Sequence, residues 1–555
     1  MSTATAPARR ASEASAPLDP PRPLARTGAL LRFMLRRDRI HFFGWTLTLT
    51  VMLVYFSGVL RAVFPTPEDL QAIVGFTASP VGALLGGPGF GYDDLTLDRF
   101  LVSQYGLYLI TAAGFMSIVT VMRHTRHEEQ AGRAELVRAS AVGRFAPLTA
   151  ALLVAVLMNL FVAVLYGVVL TAQGADASGS FLFGASVAAA GIAFAGLAAT
   201  TAQLTAFSRG GTGIAGAALG VAFLVRGLGD MSSAQGGDLG WLSWLSPIGW
   251  SQQTAPFVLD RWWPLALSLA FAAAFTVVGY VLTARRDLGS GLVAARRGSP
   301  AAAAWLASPF ALAFRLQHAG LVGWSLALFV SAIAYGSFAQ PLVEGFVDAP
   351  PELIAIMGAE DDLLTGYLGL MGVMMAFFAT IYAIGSVQSL RSEELDGRGE
   401  GVLAAAVGRV GWMTSWLVVS ALAVAWLQLL SGVGQAIGAS ASIGDWSLFG
   451  DVVLGHVAHV PAVWVVLAVA GLLYGWLPRW LLAVWALFGY SFIVAMFGPI
   501  LDLPDLAYDV SPFEHVGEYP GAELSGVAML VLTGIAVVVA AAGVVGFRRR
   551  DLVSD

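Results

Sequence analysis

Carboxylate and guanidinium groups crowd into one short stretch of an otherwise apolar sequence, EEQAGRAELVRASAVGR at residues 128–144. Glu128, Glu129 and Glu135 are close enough to Arg133 in sequence to form ion pairs, and Gly132 permits a bend between them. Paired carboxylates can also perform acid–base catalysis or hold a metal ion. We therefore ask whether this stretch serves catalysis or docking, and predict two short helical pieces joined at Gly132.

A near copy of the stretch, EELDGRGEGVLAAAVGR, occupies residues 393–409, which is 265 positions further along. It repeats the charged and glycine positions as Glu393, Glu394, Gly397, Arg398 and Glu400. No histidine recurs with these carboxylates, which argues against catalysis and against a metal site. A single charged stretch is usually a solvated hairpin, and that alternative stays open. Retention of the same charges in both copies favours a docking element that is used twice.

The composition indicates a polytopic membrane protein. Of the 555 residues, 57% are hydrophobic and only 12% are charged, too few polar groups to cover a soluble globule of this length. The chain has no cysteine, which excludes disulfides and thiolate chemistry. It also has no lysine, since all 30 basic residues are arginine, so it cannot form a lysine-containing P-loop for ATP.

Hydropathy predicts about twelve membrane-spanning helices, because each span needs roughly 20 mostly apolar residues. We place them near 43–64, 101–122, 147–172, 181–206, 213–226, 264–284, 319–341, 366–388, 413–438, 452–476, 481–498 and 523–546. The fifth span is short, and residues 242–257 after it are candidates for a re-entrant turn. An amphipathic helix is expected at the interface before the first span, and a similar element, residues 309–324, precedes the seventh.

The distribution of arginine predicts the orientation, because positively charged loops stay on the cytoplasmic side. With the N-terminus inside, only Arg61, Arg99, Arg226 and Arg261 fall outside, and the other 26 of the 30 arginines fall inside. Both termini and both charged stretches are then cytoplasmic.

Other matches at the same separation indicate an internal duplication. Ser246-Pro247 recurs as Ser511-Pro512, and ARRDLG at 284–289 recurs as RRRDLV at 548–553 with a slip of one residue. Six spans per half make the repeats parallel, with a pseudo-symmetry axis along the membrane normal. The predicted domains are a disordered cytoplasmic tail (1–26), a first six-helix half (27–284), a cytoplasmic linker (285–304), a second six-helix half (305–547) and a cytoplasmic C-terminal tail (548–555).

Polar residues inside spans are costly, so each is a candidate for interhelical hydrogen bonding or for substrate contact. The candidates for the substrate path are Asn159, Gln203, Gln428, Gln435, His456 and His459. Interhelical packing is the more common role for such residues. Apolar walls for a hydrophobic substrate are abundant in either case.

The two charged stretches, each after the second span of a six-span unit and each ending in VGR, resemble the signature of actinobacterial ABC-2 type export permeases. The particular group exports polyketide antibiotics and is similar to tetronasin-resistance permeases. This resemblance implies a fused pseudo-dimer of the type V exporter kind, with coupling helices near 126–144 and 391–409. It further implies two copies of a separate ATPase that carry ATP and Mg²⁺, since this chain would hold no cofactor. One departure is that Leu136-Val137-Arg138 becomes Gly401-Val402-Leu403, so the two docking sites are expected to be unequal.

The expected function is therefore transport, without an enzymatic site or a metal site on this chain. The chain would be the permease subunit of a bacterial plasma-membrane exporter that moves hydrophobic or amphiphilic, antibiotic-like compounds out of the cytoplasm or inner leaflet by alternating access. The expected partners are the ATPase, the lipid bilayer and the hydrophobic substrate, and no nucleic acid. The alternatives are an ion-coupled secondary multidrug transporter and, less favoured, a membrane-embedded enzyme.

Overall fold

A computed structural model describes residues 22–64, 70–71, 74–138, 142–287, 289–293, 301–341, 363–405, 407–501 and 503–552. Over these residues the backbone forms helices joined by turns, without a strand. Twelve of the helical segments are long and apolar enough to cross a membrane, and each coincides with one predicted span. The predicted all-α polytopic membrane fold is confirmed.

The chain divides into two compact units, one formed by Met1–Arg61 with Leu84–Arg296 and the other by Ala62–Ala83 with Arg297–Asp555. The helices up to the linker are α1 (Thr27–Arg37), α2 (Arg39–Val63), α3 (Val74–Thr77), α4 (Pro80–Leu85), α5 (Leu97–Phe100), a π-helical turn (Leu101–Tyr105), α6 (Gly106–His124), α7 (Arg126–Gln130), α8 (Arg133–Arg138), α9 (Ala146–Ala172), α10 (Ala177–Leu204), α11 (Ser208–Ala234), a 3-10 helix (Gly240–Leu245), α12 (Pro247–Gln252) and α13 (Pro264–Arg285).

The second set of helices follows the linker. They are a 3-10 helix (Ala304–Ala307), α14 (Pro309–Ser337), α15 (Leu363–Leu395), α16 (Arg398–Leu403), α17 (Arg409–Ile443), α18 (Phe449–Ala458), α19 (Val460–Trp476), a 3-10 helix (Pro478–Ala483), α20 (Val484–Leu501), α21 (Asp505–Val510) and α22 (Gly526–Arg549).

Small residues let the central helices of each unit pack closely. In the first unit, a Cβ on Gly184 would lie 2.3 Å from the Ala163 carbonyl oxygen, so α10 and α9 are in backbone contact there. In the second unit, a Cβ on Gly475 would lie 2.1 Å from the Gly543 carbonyl oxygen, where α19 meets α22. Without a hydrophobic effect between helices in lipid, such close van der Waals packing holds the bundles together.

The fifth span differs most from the prediction. Residues 213–226 were expected to form a short span that ends at Arg226 on the outer side, but α11 runs from Ser208 to Ala234 and continues beyond this arginine. Its Nη1 donates to Asp230 Oδ2 over 3.1 Å, one helical turn away, and both side chains are buried. Hydropathy counts the two residues as separate charges, whereas the fold pairs them.

Residues 242–257, the candidates for a re-entrant turn, form the 3-10 helix Gly240–Leu245 and the short, largely buried α12. Two other segments depart from the sequence-based expectation. The expected interfacial element at 309–324 is the continuous start of α14, whereas α1 ends at Arg37 and Asp38 separates it from α2. The tenth span breaks between α18 and α19 beside Pro461, which has no N–H to donate.

Most of the predicted N-terminal tail, residues 1–21, lies outside the described residues. Its last part is folded, because the backbone N–H of Gly143 donates to the Ala25 carbonyl oxygen and that of Phe145 donates to the Pro23 carbonyl oxygen. Residues 22–26 are thus part of the first unit and not of a disordered tail.

Candidate functional site

Each of the two charged stretches folds as a helical turn that bends at its glycine. We name residues 126–138 the first charged turn and residues 391–403 the second charged turn. Gly132 has a φ of +71° between α7 and α8, and Gly397 has a φ of +70° between α15 and α16. This left-handed conformation costs little for glycine and about 1–2 kcal/mol for other residues. The prediction of two short helical pieces joined at Gly132 is confirmed.

One ion pair spans the glycine in each charged turn. In the first turn, Arg133 donates from Nε and Nη2 to the two carboxylate oxygens of Glu128, over 2.9 and 3.0 Å. In the second, Arg398 donates through the same atoms to Glu393, over 2.8 Å each. Bidentate pairing of this kind fixes the angle of a turn as well as adding energy. The hydrogen bonds raise the pKa of both guanidinium groups, which therefore stay charged.

The neighbouring glutamate holds each charged turn to the last span of its unit. Glu129 accepts from Arg286 Nη1 over 2.9 Å and from Arg286 Nη2 over 2.5 Å. Glu394 accepts from Arg550 through two bonds of 2.6 Å. These carboxylates are only 11% and 9% exposed, so they are anchors within the unit and are not presented to a partner.

Sequence reasoning missed the two anchor arginines as site residues. Arg286 and Arg550 lie just after α13 and α22, in the ARRDLG and RRRDLV stretches that were used only as evidence of duplication. The repeat that relates them slips by one residue relative to the charged turns. That recurrence was the available signal, but nothing in one sequence says which carboxylate an arginine pairs with.

The arginine of each VGR triplet also holds the last span of its unit. Arg144 Nη2 donates to the carbonyl oxygens of Thr283 and Arg286, over 2.9 and 3.2 Å. Arg409 Nη1 donates to the Arg550 carbonyl oxygen over 2.5 Å. Positive charge at carbonyls released by a helix end is favourable. Each charged turn is therefore connected through side chains to the helix that ends its unit.

A charged cluster around Asp38 ties α1 to the first charged turn. Asp38 accepts from Arg123 over 3.2 and 3.0 Å, while Arg37 donates to both carboxylate oxygens of Glu128. Burial acts to raise the pKa of Asp38, but the hydrogen bonds and charge of Arg123, with the charges of His124 and Arg37, lower it to about 2. Asp38 was not among the site residues expected from the sequence, although it is a lone acid among arginines directly before a span.

The outer surface of each charged turn is open to a partner. Glu135 and Glu400 are exposed, and Leu136 is 77% exposed. The residue that matches Leu136 in the second turn is Gly401, so the two surfaces differ in apolar character. The Arg138 side chain, which the sequence comparison contrasted with Leu403, lies outside the described residues. Exposed charge around a pinned bend suits docking, and the fixed, charged guanidinium groups are unsuited to proton transfer.

The candidates for the substrate path do not form one site. Two of them, Asn159 and Gln203, lie in the first unit. Asn159 is buried and donates to Ser117 Oγ and to the Ala155 carbonyl oxygen, over 2.8 Å each. Gln203, at the end of α10, accepts from Arg286 Nε over 2.6 Å. Gln203 therefore belongs to the anchor of the first charged turn, and Asn159 to helix packing in the same unit.

The remaining candidates lie together in the second unit. Gln428 donates to the His456 carbonyl oxygen over 3.1 Å, and the His456 ring bonds to Gln435 and Ser431. His459 bonds through Nδ1 to the Gly455 carbonyl oxygen over 2.8 Å. All are at most 2% exposed, so the network joins α17 to the start of the tenth span. This arrangement fits the interhelical role.

The sequence is similar to known proteins over most of its length. A family model described as "Multidrug efflux system permease Rv1217c, C-terminal domain" matches residues 29–282 and 306–548. The chain is also similar to the multidrug efflux system permease protein Rv1217c of Mycobacterium tuberculosis (strain ATCC 25618 / H37Rv). The two are 35% identical over 532 residues, which is 95% of each chain. The matched ranges include both charged turns.

Proposed function

This chain belongs to the family of multidrug efflux permeases that the Rv1217c model describes, and on that premise we propose that it is the transmembrane subunit of an ATP-binding-cassette exporter. It exports hydrophobic or amphiphilic, antibiotic-like compounds from the cytoplasm or the inner leaflet by alternating access. Within ABC-2 exporters it falls in the tetronasin-resistance-like group. It resides in the bacterial plasma membrane with both termini in the cytoplasm.

The observation that carries this proposal is the pair of charged turns with the same internal geometry. The pinning pairs, Glu128 with Arg133 and Glu393 with Arg398, close over glycines of nearly equal φ. A hairpin whose charges only contact water would not need the same ion pair and the same glycine conformation in both copies. Two matched turns suit two copies of one partner, which is the stoichiometry of ATPase subunits in an ABC exporter.

The energy source in this proposal is the partner. The chain has no lysine for a P-loop, so ATP and Mg²⁺ bind to the two ATPase subunits and this chain carries no cofactor. Closure of the ATPase pair on ATP moves both charged turns and drives the two halves between inward- and outward-open states.

The contacts within each unit supply a path for the movement. The first charged turn continues α6, the second span, and is held by Glu129 to Arg286 at the end of α13, the sixth. In the other unit, Glu394 and Arg550 connect the second charged turn to α22 in the same way. Force on either turn therefore reaches two spans of its unit at once.

The test is whether affinity-tagged permease, purified from its native membrane, retains an ATP-binding-cassette ATPase. We expect wild type to retain it, and Glu129→Ala with Glu394→Ala to lose it while still inserting in the membrane. Breaking a buried ion pair costs on the order of 3–5 kcal/mol, enough to release both turns from their anchors. The matched control exchanges the charges, Glu129→Arg with Arg286→Glu and Glu394→Arg with Arg550→Glu, and should recover part of the binding.

Normal ATPase recovery and normal efflux in the double alanine variant would refute the coupling role. Efflux that needs no ATPase and collapses with the proton gradient would instead establish an ion-coupled secondary transporter.

A further inference from the structure

A cavity beneath the amphipathic helix α1 distinguishes the first unit from the second. It has a volume of about 770 Å³, counting the part open to solvent, and lies between α1, the first charged turn and the ends of α9 and α13. The corresponding space beside the second charged turn measures about 300 Å³.

The size difference has a specific cause in the sequence. Pro147 and Thr283 line the large cavity, and their counterparts in the second unit are Trp412 and Phe547. Both aromatic side chains are buried, and Phe547 stacks on Tyr474 with ring centroids 5.3 Å apart. The second unit thus fills with aromatic rings the volume that the first unit leaves open.

The walls of the cavity combine apolar side chains with an excess of positive charge. Leu30, Phe33 and Met34 of α1 form an apolar side. The charged lining consists of Arg37, Arg133, Arg144 and Arg286 against Glu128 and Glu129.

Polar groups remain available to a ligand. Among the described residues, Arg144 donates only from Nη2, which leaves Nε and Nη1 for an anion. The buried His124 ring lines the cavity, and neither of its nitrogens has a hydrogen-bond partner in the described part of the chain; its Nε2 lies 3.5 Å from Asp38 Oδ2. A buried polar group without a partner is costly unless a ligand or water completes it.

We propose that this cavity binds the headgroup of an anionic phospholipid from the cytoplasmic leaflet, with the start of the acyl chains against α1. The cavity lies where three spans end, α6, α10 and α13, and where α9 begins. In the proposed orientation these helix ends are at the cytoplasmic headgroups. Exposed arginines on and beside α1, at positions 32, 36 and 39, add attraction for an anionic surface. Basic pockets between spans on the cytoplasmic side are the usual sites for anionic headgroups. In the described part of the second unit, Trp412 and Phe547 occupy the matching space.

The experiment measures lipid binding to the delipidated full-length permease in detergent, by native mass spectrometry and by thermal shift. The probes are dioleoyl phosphatidylglycerol, dioleoyl phosphatidylcholine and water-soluble glycerol phosphate. We expect phosphatidylglycerol to bind at least about tenfold more tightly than phosphatidylcholine, because each net arginine charge at a lipid surface adds about 1 kcal/mol. Glycerol phosphate should bind far more weakly than the lipid.

Two variants locate the site. Pro147→Trp with Thr283→Phe introduces the aromatic side chains that Trp412 and Phe547 supply in the second unit. This filled variant keeps every charge and should lose the preference for phosphatidylglycerol over phosphatidylcholine. Arg144→Gln should also reduce the preference for phosphatidylglycerol about fivefold, and its matched control, Arg409→Gln in the second unit, should not. Since the filled variant uses side chains that the same fold already accommodates, a size-exclusion profile like that of wild type shows that it has folded.

Three results overturn the proposal. Equal binding of phosphatidylglycerol and phosphatidylcholine would show that the cavity does not select anionic lipid. Binding of glycerol phosphate as tight as that of phosphatidylglycerol would show that the cavity binds a soluble anion. Loss of the partner ATPase in the filled variant, with unchanged phosphatidylglycerol binding, assigns the cavity to protein docking.

Discussion

Adjacent glutamates divide two tasks at each charged turn. Glu128 and Glu393 pin the bend through an exposed arginine, while Glu129 and Glu394 hold the turn to the unit that carries it. The exposed ion pair sets the conformation of the turn that a partner would contact. The buried ion pair holds the turn to the membrane spans. Substitutions at the two positions should therefore have different consequences.

Sequence alone identified the residues of the turns and indicated ion pairing with Arg133, but not the arginines that pair with Glu129 and Glu394. The spacing of Glu128, Gly132 and Arg133 predicted the bend, because a repeated glycine between opposite charges has few other uses. Gln203 was placed among the intramembrane candidates because hydropathy cannot tell the last residue of a span from one at its centre. The structure places it against Arg286 instead.

Replacing the two hinge glycines tests the bend. Gly132→Ala with Gly397→Ala should weaken ATPase recovery, since alanine in the left-handed region costs about 1–2 kcal/mol per site and the turn would relax away from it. A Cβ at either position meets nothing within 4 Å, so the effect is conformational and not steric. Gly411→Ala, equally open but inside α17, is the matched control and should bind the ATPase normally. Equal binding by all three proteins would show that the bend is not needed.

Asp38 gives a pH-dependent prediction. Its folded pKa, about 2, is below the value near 4 of an unfolded aspartate, so its stabilising contribution is present above pH 4 and is lost as pH falls toward 2. Asp38→Asn should lower stability by about 2 kcal/mol at pH 7, the scale of hydrogen bonds to a charged group. Thermal unfolding of both proteins should converge between pH 4 and pH 2, whereas the exposed control Asp238→Asn should match wild type throughout. A constant difference across this range would contradict the assignment.

At the scale of helices, hydropathy determined the existence of the twelve spans, because lipid requires about 20 apolar residues wherever a helix crosses it. It could not locate the breaks. The separation of α1 from α2 at Asp38 depends on side chains of α6 and the first charged turn, and the length of α11 depends on an ion pair inside it. Such tertiary pairings are invisible to a window that averages along the chain.

The ion pair in α11 can be tested by copying the second unit, where Ser491 and Ala495 occupy the positions of Arg226 and Asp230. Arg226→Ser or Asp230→Ala alone should cost about 3–5 kcal/mol, because each leaves a buried charge without its partner. The double variant should be more stable than either single one, as measured by thermal unfolding in detergent. Additive losses would mean that the two residues act independently.

For the whole molecule, the proposed parallel repeat predicts that both charged turns lie on one side of the membrane. The absence of cysteine makes this measurable with single cysteines at exposed positions. Glu135→Cys and Glu400→Cys should react with a membrane-impermeant maleimide in inside-out vesicles and not in intact cells. Trp262→Cys, exposed between α12 and α13, should show the reverse. Labelling of positions 135 and 400 from opposite sides would establish inverted repeats.

The most direct test of the central claim is drug uptake into inside-out vesicles that contain this permease with its partner ATPase. Coupling through the two charged turns predicts uptake that requires ATP, is inhibited by orthovanadate, survives collapse of the proton gradient and is lost in Glu129→Ala with Glu394→Ala. Uptake by the permease alone, driven by the proton gradient and indifferent to ATP and orthovanadate, would contradict it.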